Sequence, residues 1–442
     1  MTTPSDQHRN LRHYPKIDGL VARTASDLPE GATDAQVAGR AVLLRQQAVG
    51  PASPRLVSSA HGRLDRLLLT IPAYAVRSVG QTSNPLAEAY EDLITKLPAD
   101  VTYTVVTHRA VEADVRNWFL DRGRTVQITA LPDHLHFSVW AEDGYVVVEE
   151  NGSGRSYFVE PFEFPRYADG LIADAVSNDS DLSHTQAPLY FQGGNVLIGD
   201  DFFLIGADYP ANSLRYLNRV IIHDPDEAAV DAIHRLYREY LDQTRRLLYI
   251  GSRIPVPSQQ VRDVLIDGEP WTELIYFGNR PGTVQPLFHI DMFLSLAGRD
   301  AEDRYQVLVG DPGLAADLLG VPVWAHAMQE VFDGIARDLE GVGFRVHRNP
   351  LPLVYVDDPE SRQRVWYFAT ANNALVQIAG DDRRVWLPTY GYGGWTALQA
   401  TDRANAEVWD SLGFAVSMLT DFHPFAENLG AVHCIKKYLK RG

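Results

Sequence analysis

Cysteine is almost missing from this chain: its 442 residues include one, Cys434, eight positions from the C-terminus. A single thiol can close no internal disulfide, and it cannot build a multi-cysteine zinc site. It is either a small buried hydrophobe or a nucleophile that borrows its base and carboxylates from distant parts of the sequence. Positive charge is also short. Lys and Arg number 40 against 57 Asp and Glu, a formal net charge of −17. That balance argues against gripping nucleic acid through its phosphates. The acidic surplus suits a solvated surface, and a cationic substrate if some of it is focused in a cleft. No apolar run approaches the roughly 18 residues that span a bilayer, so no membrane partner is expected. No apolar stretch follows the first basic residues, which excludes a secretory signal and points to the cytoplasm. Also missing are Gly-x-x-x-x-Gly-Lys, Gly-x-Gly-x-x-Gly, Gly-x-Ser-x-Gly and His-Glu-x-x-His, so phosphate-loop, dinucleotide, serine-hydrolase and zincin chemistry have no support.

The sequence does contain an ordinary globular α/β pattern, with 45% hydrophobic and 22% charged residues. Residues 1–60 carry little periodicity and read as an N-terminal arm or cap, with one helix expected over 34–47. From residue 61 to 442, apolar strands alternate with amphipathic helices and no linker intervenes. Strands are expected at 67–76, 102–106, 125–130, 144–148, 196–205, 305–309 and 374–386. Helices are expected at 84–97, 110–122, 226–244, 324–339 and 402–412. Three helices close on Gly-x-x-Val, at Gly123, Gly343 and Gly413, where glycine can take positive φ before a strand begins. Asn195-Val196-Leu197-Ile198 is echoed by Asn373-Ala374-Leu375-Val376, each followed by a double aspartate suited to a hairpin turn. These echoes suggest several copies of one strand–helix–strand unit. The basic C-terminal run Lys436, Lys437, Lys440 and Arg441 reads as a solvated tail.

Four segments place polar residues in otherwise apolar surroundings. They are Val139-Trp140-Ala141-Glu142-Asp143-Gly144-Tyr145, Phe191-Gln192-Gly193-Gly194-Asn195, Phe288-His289-Ile290-Asp291-Met292 and Val432-His433-Cys434. If residues 288–292 are extended, His289 and Asp291 share one side. A histidine titrates near neutrality and a carboxylate beside it can hold a cation, so the pair suits acid–base work. The same pair also serves as metal ligands or as a structural hydrogen bond. In an extended segment His433 points away from Cys434 and supports it from behind. Tyr390-Gly391-Tyr392-Gly393-Gly394 reads as a flexible loop beside a site. Arg155, Arg166 and Arg280 are candidates for a substrate carboxylate or carbonyl.

Taken in order, Trp140-x-x-Asp143, Gly193-Gly194-Asn195, His289-x-Asp291 and Val432-His433-Cys434 resemble the guanidino-group-modifying enzymes of the pentein fold. That superfamily includes arginine, agmatine and peptidylarginine deiminases, dimethylarginine hydrolases and amidinotransferases. The resemblance spans about residues 60–442 and implies a five-bladed ββαβ propeller with pseudo-symmetric repeats. It implies Cys434 as nucleophile, His289 as general acid and base, and Asp143 and Asp291 as carboxylates clamping a guanidinium. Two carboxylates suit that planar, permanent cation because each can accept a pair of its N–H donors. Trp140, Gly194 and Asn195 would line the substrate. No cofactor and no metal is implied. The run His289-Ile290-Asp291-Met292-Phe293-Leu294-Ser295 is most like peptidylarginine deiminases, as is Trp140-Ala141-Glu142-Asp143, which lacks the arginine that agmatine deiminases carry before the aspartate. Gln192 stands where enzymes of free arginine and agmatine have an acid, and Leu429-Gly430-Ala431 replaces their glycine-rich run. The chain has no room for the β-sandwich domains of the animal enzymes, nor an EF-hand loop to carry their calcium dependence. The expected partner is a peptide or protein arginine, with a deiminase or amidinotransferase acting on a small guanidine such as free arginine or agmatine as the alternative. A catalytically idle pentein-like binding protein is the alternative from another class.

Overall fold

The computed structural model describes residues 50–77, 83–166, 168–220 and 227–442. The helix expected over 34–47, and with it most of the expected arm, lies outside the described residues. The described chain divides into two compact units: residues within 74–98 and 252–433 form the first, and residues within 50–73, 99–251 and 434–442 the second.

In the second unit, Leu64–Ile71 lies between Lys436–Arg441, antiparallel to it, and Thr102–His108, parallel to it, with Thr125–Leu131 beyond. Leu67, Leu68, Leu69 and Ile71 are all fully buried, so the strand is covered on both faces, as parallel sheets require. A second sheet runs Pro54–Leu56, Val146–Glu150, Ser156–Glu160, Ser183–Gln186, and a third joins Val196–Ile198, Phe202–Gly206 and Arg246–Ile250. The apolar faces of these last two meet around Tyr190, Phe191, Phe203, Ile205 and Tyr237.

The first unit holds two three-stranded sheets, Leu294–Arg299/Tyr305–Asp311/Arg345–Pro350 and Leu375–Ala379/Asp382–Thr389/Ala415–Asp421. It also holds a four-stranded sheet of two hairpins, Gln260–Ile266/Glu269–Ile275 and Leu353–Asp358/Gln363–Phe368. Among the described residues, five of the six sheets repeat one pattern: two antiparallel strands, then a strand parallel to the second, reached through a helix. The exception is the sheet of two hairpins, which the sequence pattern did not signal. Its outer strand Gln260–Ile266 exposes Val261 and Leu265, so no buried period marks it.

Local signals set many of the boundaries. Asn84 caps Pro85–Lys96, its side chain accepting the Leu86 N–H at 2.9 Å while its amide donates to the Tyr74 and Arg77 carbonyls. Gly123, Gly343 and Gly413 end their helices at φ of 64°, 104° and 81°. The strand expected over 67–76 stops at Ile71, because residues Ala73–Val76 turn into a short helix. The C-terminal run is not a solvated tail. Lys436 and Lys437 are 0% and 5% exposed inside a strand, where packing and ion pairing outweigh their hydration. Among the described residues no helix is long and apolar enough to cross a membrane.

Candidate active site

The Trp140–Asp143 segment is a buried turn of the second unit, leading into Val146–Glu150. Ser138 shapes its start: its N–H and hydroxyl both donate to Asp169 at 2.6 Å, and its hydroxyl accepts the Trp140 N–H. Trp140 is 3% exposed and packs as core. Asp143, also 3% exposed, accepts Arg166 Nη2 at 2.8 Å, and Arg166 Nε reaches back to Asp169. Burial holds the Asp143 carboxyl above its ordinary range, against the opposing pull of Arg166. Arg166, one of the three candidate arginines, is set against an expected site residue, and there it meets a carboxylate of the protein itself.

Glu142 faces the other way. Its two carboxylate oxygens take Lys436 Nζ at 2.9 Å and Lys437 Nζ at 2.7 Å, and its N–H donates to the Cys434 carbonyl at 3.1 Å. Burial lowers Lys437, while Glu142 and the nearby Asp143 resist that shift. The Lys436 ammonium also sits 3.7 Å from the centre of the Tyr438 ring. Gly193-Gly194-Asn195 forms a tight turn before Val196–Ile198, fully buried, and the Gly193 N–H donates to the Asp143 carbonyl at 3.2 Å. A side chain at Gly193 is excluded, since its Cβ would lie 1.9 Å from the Glu142 carbonyl and 2.5 Å from Lys437 Nζ. The Gly193–Asn195 turn and Cys434 therefore both meet the Glu142 segment within this unit.

The fourth segment belongs to the first unit. Its local form differs from the expectation: His289 is extended, but Ile290–Met292 is a tight helical turn, so strand alternation does not fix the direction of Asp291. The turn is closed by the Met292 N–H bonding to the His289 carbonyl at 3.3 Å, and Thr370 Oγ1 donates to the Met292 carbonyl at 2.6 Å. His289 and Asp291 are each 1% exposed, and Phe288 stacks on the His289 ring with centroids 4.0 Å apart. Phe288 and Met292 also wall a narrow apolar cavity of about 30 Å³, room for little more than a water.

His433 does not stand behind a strand. Residues 432–435 form turns, and His433 Nδ1 lies 2.8 Å from Asp291 Oδ2. Asn373 fixes this contact. Its side-chain oxygen accepts the Ala431 N–H at 2.9 Å and its carbonyl accepts the His433 N–H at 3.1 Å. Neither role was evident in the sequence, where Asn373 showed only as an echo of Asn195. The loop at Tyr390 is anchored at its start: the Tyr390 and Gly391 N–H groups both donate to Asp402 Oδ2, at 3.0 and 2.8 Å. The chain passes from the first unit to the second at the His433–Cys434 peptide bond.

No family model and no curated protein matches this sequence. Solved structures do. One provisionally assigned as an agmatine deiminase superposes at a TM-score of 0.57 and 14% identity, covering 87% of this chain and 95% of its own. The chain has the pentein fold. The agmatine deiminase of C. jejuni gives a TM-score of 0.55 at 13% identity, over 88% and 96% of the two chains. A structure provisionally assigned as a peptidyl-arginine deiminase gives 0.55 at 12%, over 88% and 99%. Identities this low speak for the pentein fold alone, and the chemistry rests on the residues the fold carries.

Proposed function

We propose that this protein hydrolyses a guanidinium group to a urea and ammonia, with Cys434 as nucleophile, on a five-bladed ββαβ pentein domain formed by residues 61–442. The observation that carries the reading is the bond from the Glu142 N–H to the Cys434 carbonyl, which ties the only thiol to the residue beside Asp143. Asp143 and Asp291 hold the guanidinium, each accepting N–H donors and fixing the central carbon. The Cys434 thiolate attacks that carbon. His289 protonates the departing amine, which leaves as ammonia, and the substrate remains as a thiouronium on sulfur. His289 then takes a proton from water, hydroxide adds to the same carbon, and the thiolate leaves as the ureido product forms. His433, paired with Asp291, orients that carboxylate. Trp140, Gly194 and Asn195 complete the walls of the substrate site.

The preferred substrate in this reading is an arginine within a peptide, converted to citrulline. Its support is the run from His289 to Ser295 and the place of Glu142, which is committed to two lysines. A small guanidine is the second reading, favoured by the likeness to agmatine deiminases. Ammonia release from an arginine peptide, free arginine and agmatine separates the two. Cys434→Ser should abolish release from whichever is turned over. Activity that survives in Cys434→Ser, or no release from any guanidine, refutes the assignment. Transfer to an added amine without free ammonia would replace hydrolysis by amidino transfer.

A further inference from the structure

The reaction scheme gives the glycine-rich loop at 390–394 no task, yet its first residue reaches the turn that carries Asp291. Tyr390 is 1% exposed, and its hydroxyl donates to the Thr370 carbonyl at 2.8 Å. Thr370, fully buried, is the residue whose own hydroxyl donates to the Met292 carbonyl at the end of the Ile290–Met292 turn. Asn373, three residues further, donates its amide to the Asp291 carbonyl at 3.5 Å and orders His433 through the bonds already described. The segment 370–373 therefore holds two successive carbonyls of the Asp291 turn, and Tyr390 holds the segment. The loop in turn holds Tyr390. The Tyr390 and Gly391 N–H groups go to Asp402, and the Tyr390 carbonyl accepts His423 Nε2–H at 3.0 Å. Trp395, at the far end of the loop, stacks on the His423 ring with centroids 6.0 Å apart. Between these ends the backbone runs too close for side chains. A Cβ at Gly391 would lie 2.1 Å from the Gln399 nitrogen, and one at Gly393 2.0 Å from Asp421 Oδ2.

We propose that Tyr390 is a positioning residue for the deiminase reaction: through Thr370 it sets the turn that presents Asp291 to the guanidinium. The inference rests on the reading of Asp291 as a guanidinium carboxylate. A buried tyrosine hydroxyl needs some acceptor. Here the acceptor belongs to the residue that closes the Asp291 turn, so the loop and the carboxylate lie on one chain of hydrogen bonds. Tyr390 touches no reacting atom in this scheme. A misplaced turn still lets Asp291 accept the cation but moves the guanidinium carbon out of line with the thiolate, so the loss falls on kcat more than on KM.

Tyr390→Phe keeps the ring and removes the hydroxyl. On whichever guanidine is turned over, its kcat should fall about five- to tenfold, with KM changed less than about twofold. Thr370→Val should do the same, and Thr370→Ser, which keeps the hydroxyl, should stay near the parent. The Tyr390→Phe/Thr370→Val double variant should be little worse than either alone, because both break one chain. Thr107→Val is the control: it removes a hydroxyl equally buried and equally bonded to a backbone carbonyl, that of Ile71, and should leave kcat at the parent value. Hydrogen exchange of the full-length protein reads the link without turnover. The peptide spanning 288–296 should exchange at least about fivefold faster in Tyr390→Phe, with the helix Gln329–Gly341 unchanged. Circular dichroism identifies any variant that fails to fold, and the contrast between Thr370→Val and Thr370→Ser then carries the test. Parent kcat in Tyr390→Phe, additive losses in the double variant, or unchanged exchange overturns the proposal. If the parent releases no ammonia from any guanidine, the deiminase reading falls and exchange alone decides the link from Tyr390 to the turn. Ammonia release with unmoved kcat and exchange removes the role of Tyr390 alone.

Discussion

Replacing Gly193 with alanine adds one methyl group at the point where the Gly193–Asn195 turn meets the Glu142 segment. That methyl would lie 1.9 Å from the Glu142 carbonyl oxygen, 2.5 Å from Lys437 Nζ and 2.9 Å from the Tyr145 carbonyl. Non-bonded atoms rest at about 3.5 Å, so the Glu142 carbonyl would have to retreat by about 1.5 Å. Lys437 can swing only by leaving its carboxylate, and the Tyr145 carbonyl is backbone. Overpacking of this kind costs about 1–3 kcal/mol, and loss of a buried ion pair costs about 3–5 kcal/mol. The two losses overlap because one movement causes both, so an overall destabilisation of about 4 kcal/mol is expected. The assay is urea unfolding of the parent and Gly193→Ala, followed by fluorescence and circular dichroism. Gly334→Ala is the control: that glycine lies within the helix Gln329–Gly341 with open space around it, and the change should stabilise by roughly 0.5–1 kcal/mol. A Gly193→Ala protein within about 1 kcal/mol of the parent would refute the contact geometry around Glu142.

Three further outcomes follow from the same structure. Arg166→Met should destabilise by about 3–5 kcal/mol by leaving Asp143 and Asp169 buried without their shared cation. Arg166→Lys should recover only part of that, since an ammonium lacks the fork that reaches both carboxylates. Asn373→Ala strands the Ala431 N–H and should cost about 1–3 kcal/mol in denaturant unfolding. In the deiminase reading it also lowers kcat more than it raises KM, because it loosens His433 on Asp291. Burial pushes the Asp402 carboxyl up to about 6, against the lowering effect of the Tyr390 and Gly391 N–H donors. The native state then holds a proton that the unfolded chain, with its ordinary value of 3.8, has lost. The stability this gives is full below about pH 4 and is lost as pH rises through about 6, a change of up to about 3 kcal/mol. Asp402→Asn should flatten that slope in unfolding curves taken between those values.

What the sequence made legible was local or chemical. Asn84 before Pro85 announces a helix start, and Gly123, Gly343 and Gly413 announce helix ends, because caps act over a few residues. The four motif segments stood out because each sets polar residues in apolar surroundings and their order resembles that of guanidino-group-modifying enzymes. What stayed hidden depended on distance along the chain. Lys436 finds Glu142 across 294 positions, and His433 finds Asp291 across 142. Composition gives a lysine run at a chain end no reason to be buried, so Lys436 and Lys437 looked like a solvated tail until their partner was seen. The turn at Ile290–Met292 was missed for a related reason: its apolar–polar alternation is also that of a strand, and the hydrogen bond from Thr370 that holds it comes from far along the chain.

The second unit contains a buried ion pair that shows what a purely structural one looks like. Asp242 and Arg245 are 0% and 5% exposed and neutralise each other. Their remaining capacity goes to backbone: Asp242 accepts the Leu56, Thr244 and Arg245 N–H groups, and Arg245 donates to the Leu56 and Asp200 carbonyls. Such a pair staples chain segments and leaves no net charge behind. The network around Glu142 and Asp143 is larger and built mainly from side chains. Glu142, Asp143 and Asp169 meet Arg166, Lys436 and Lys437, three negative charges against three positive, and Asp169 also accepts the Ser138 N–H and hydroxyl. Buried ions are costly enough that apolar residues of similar size usually serve stability as well or better. What this balanced network adds is a tie between distant stretches of chain, residues 142–143 to 166–169 on one side and to 436–437 on the other.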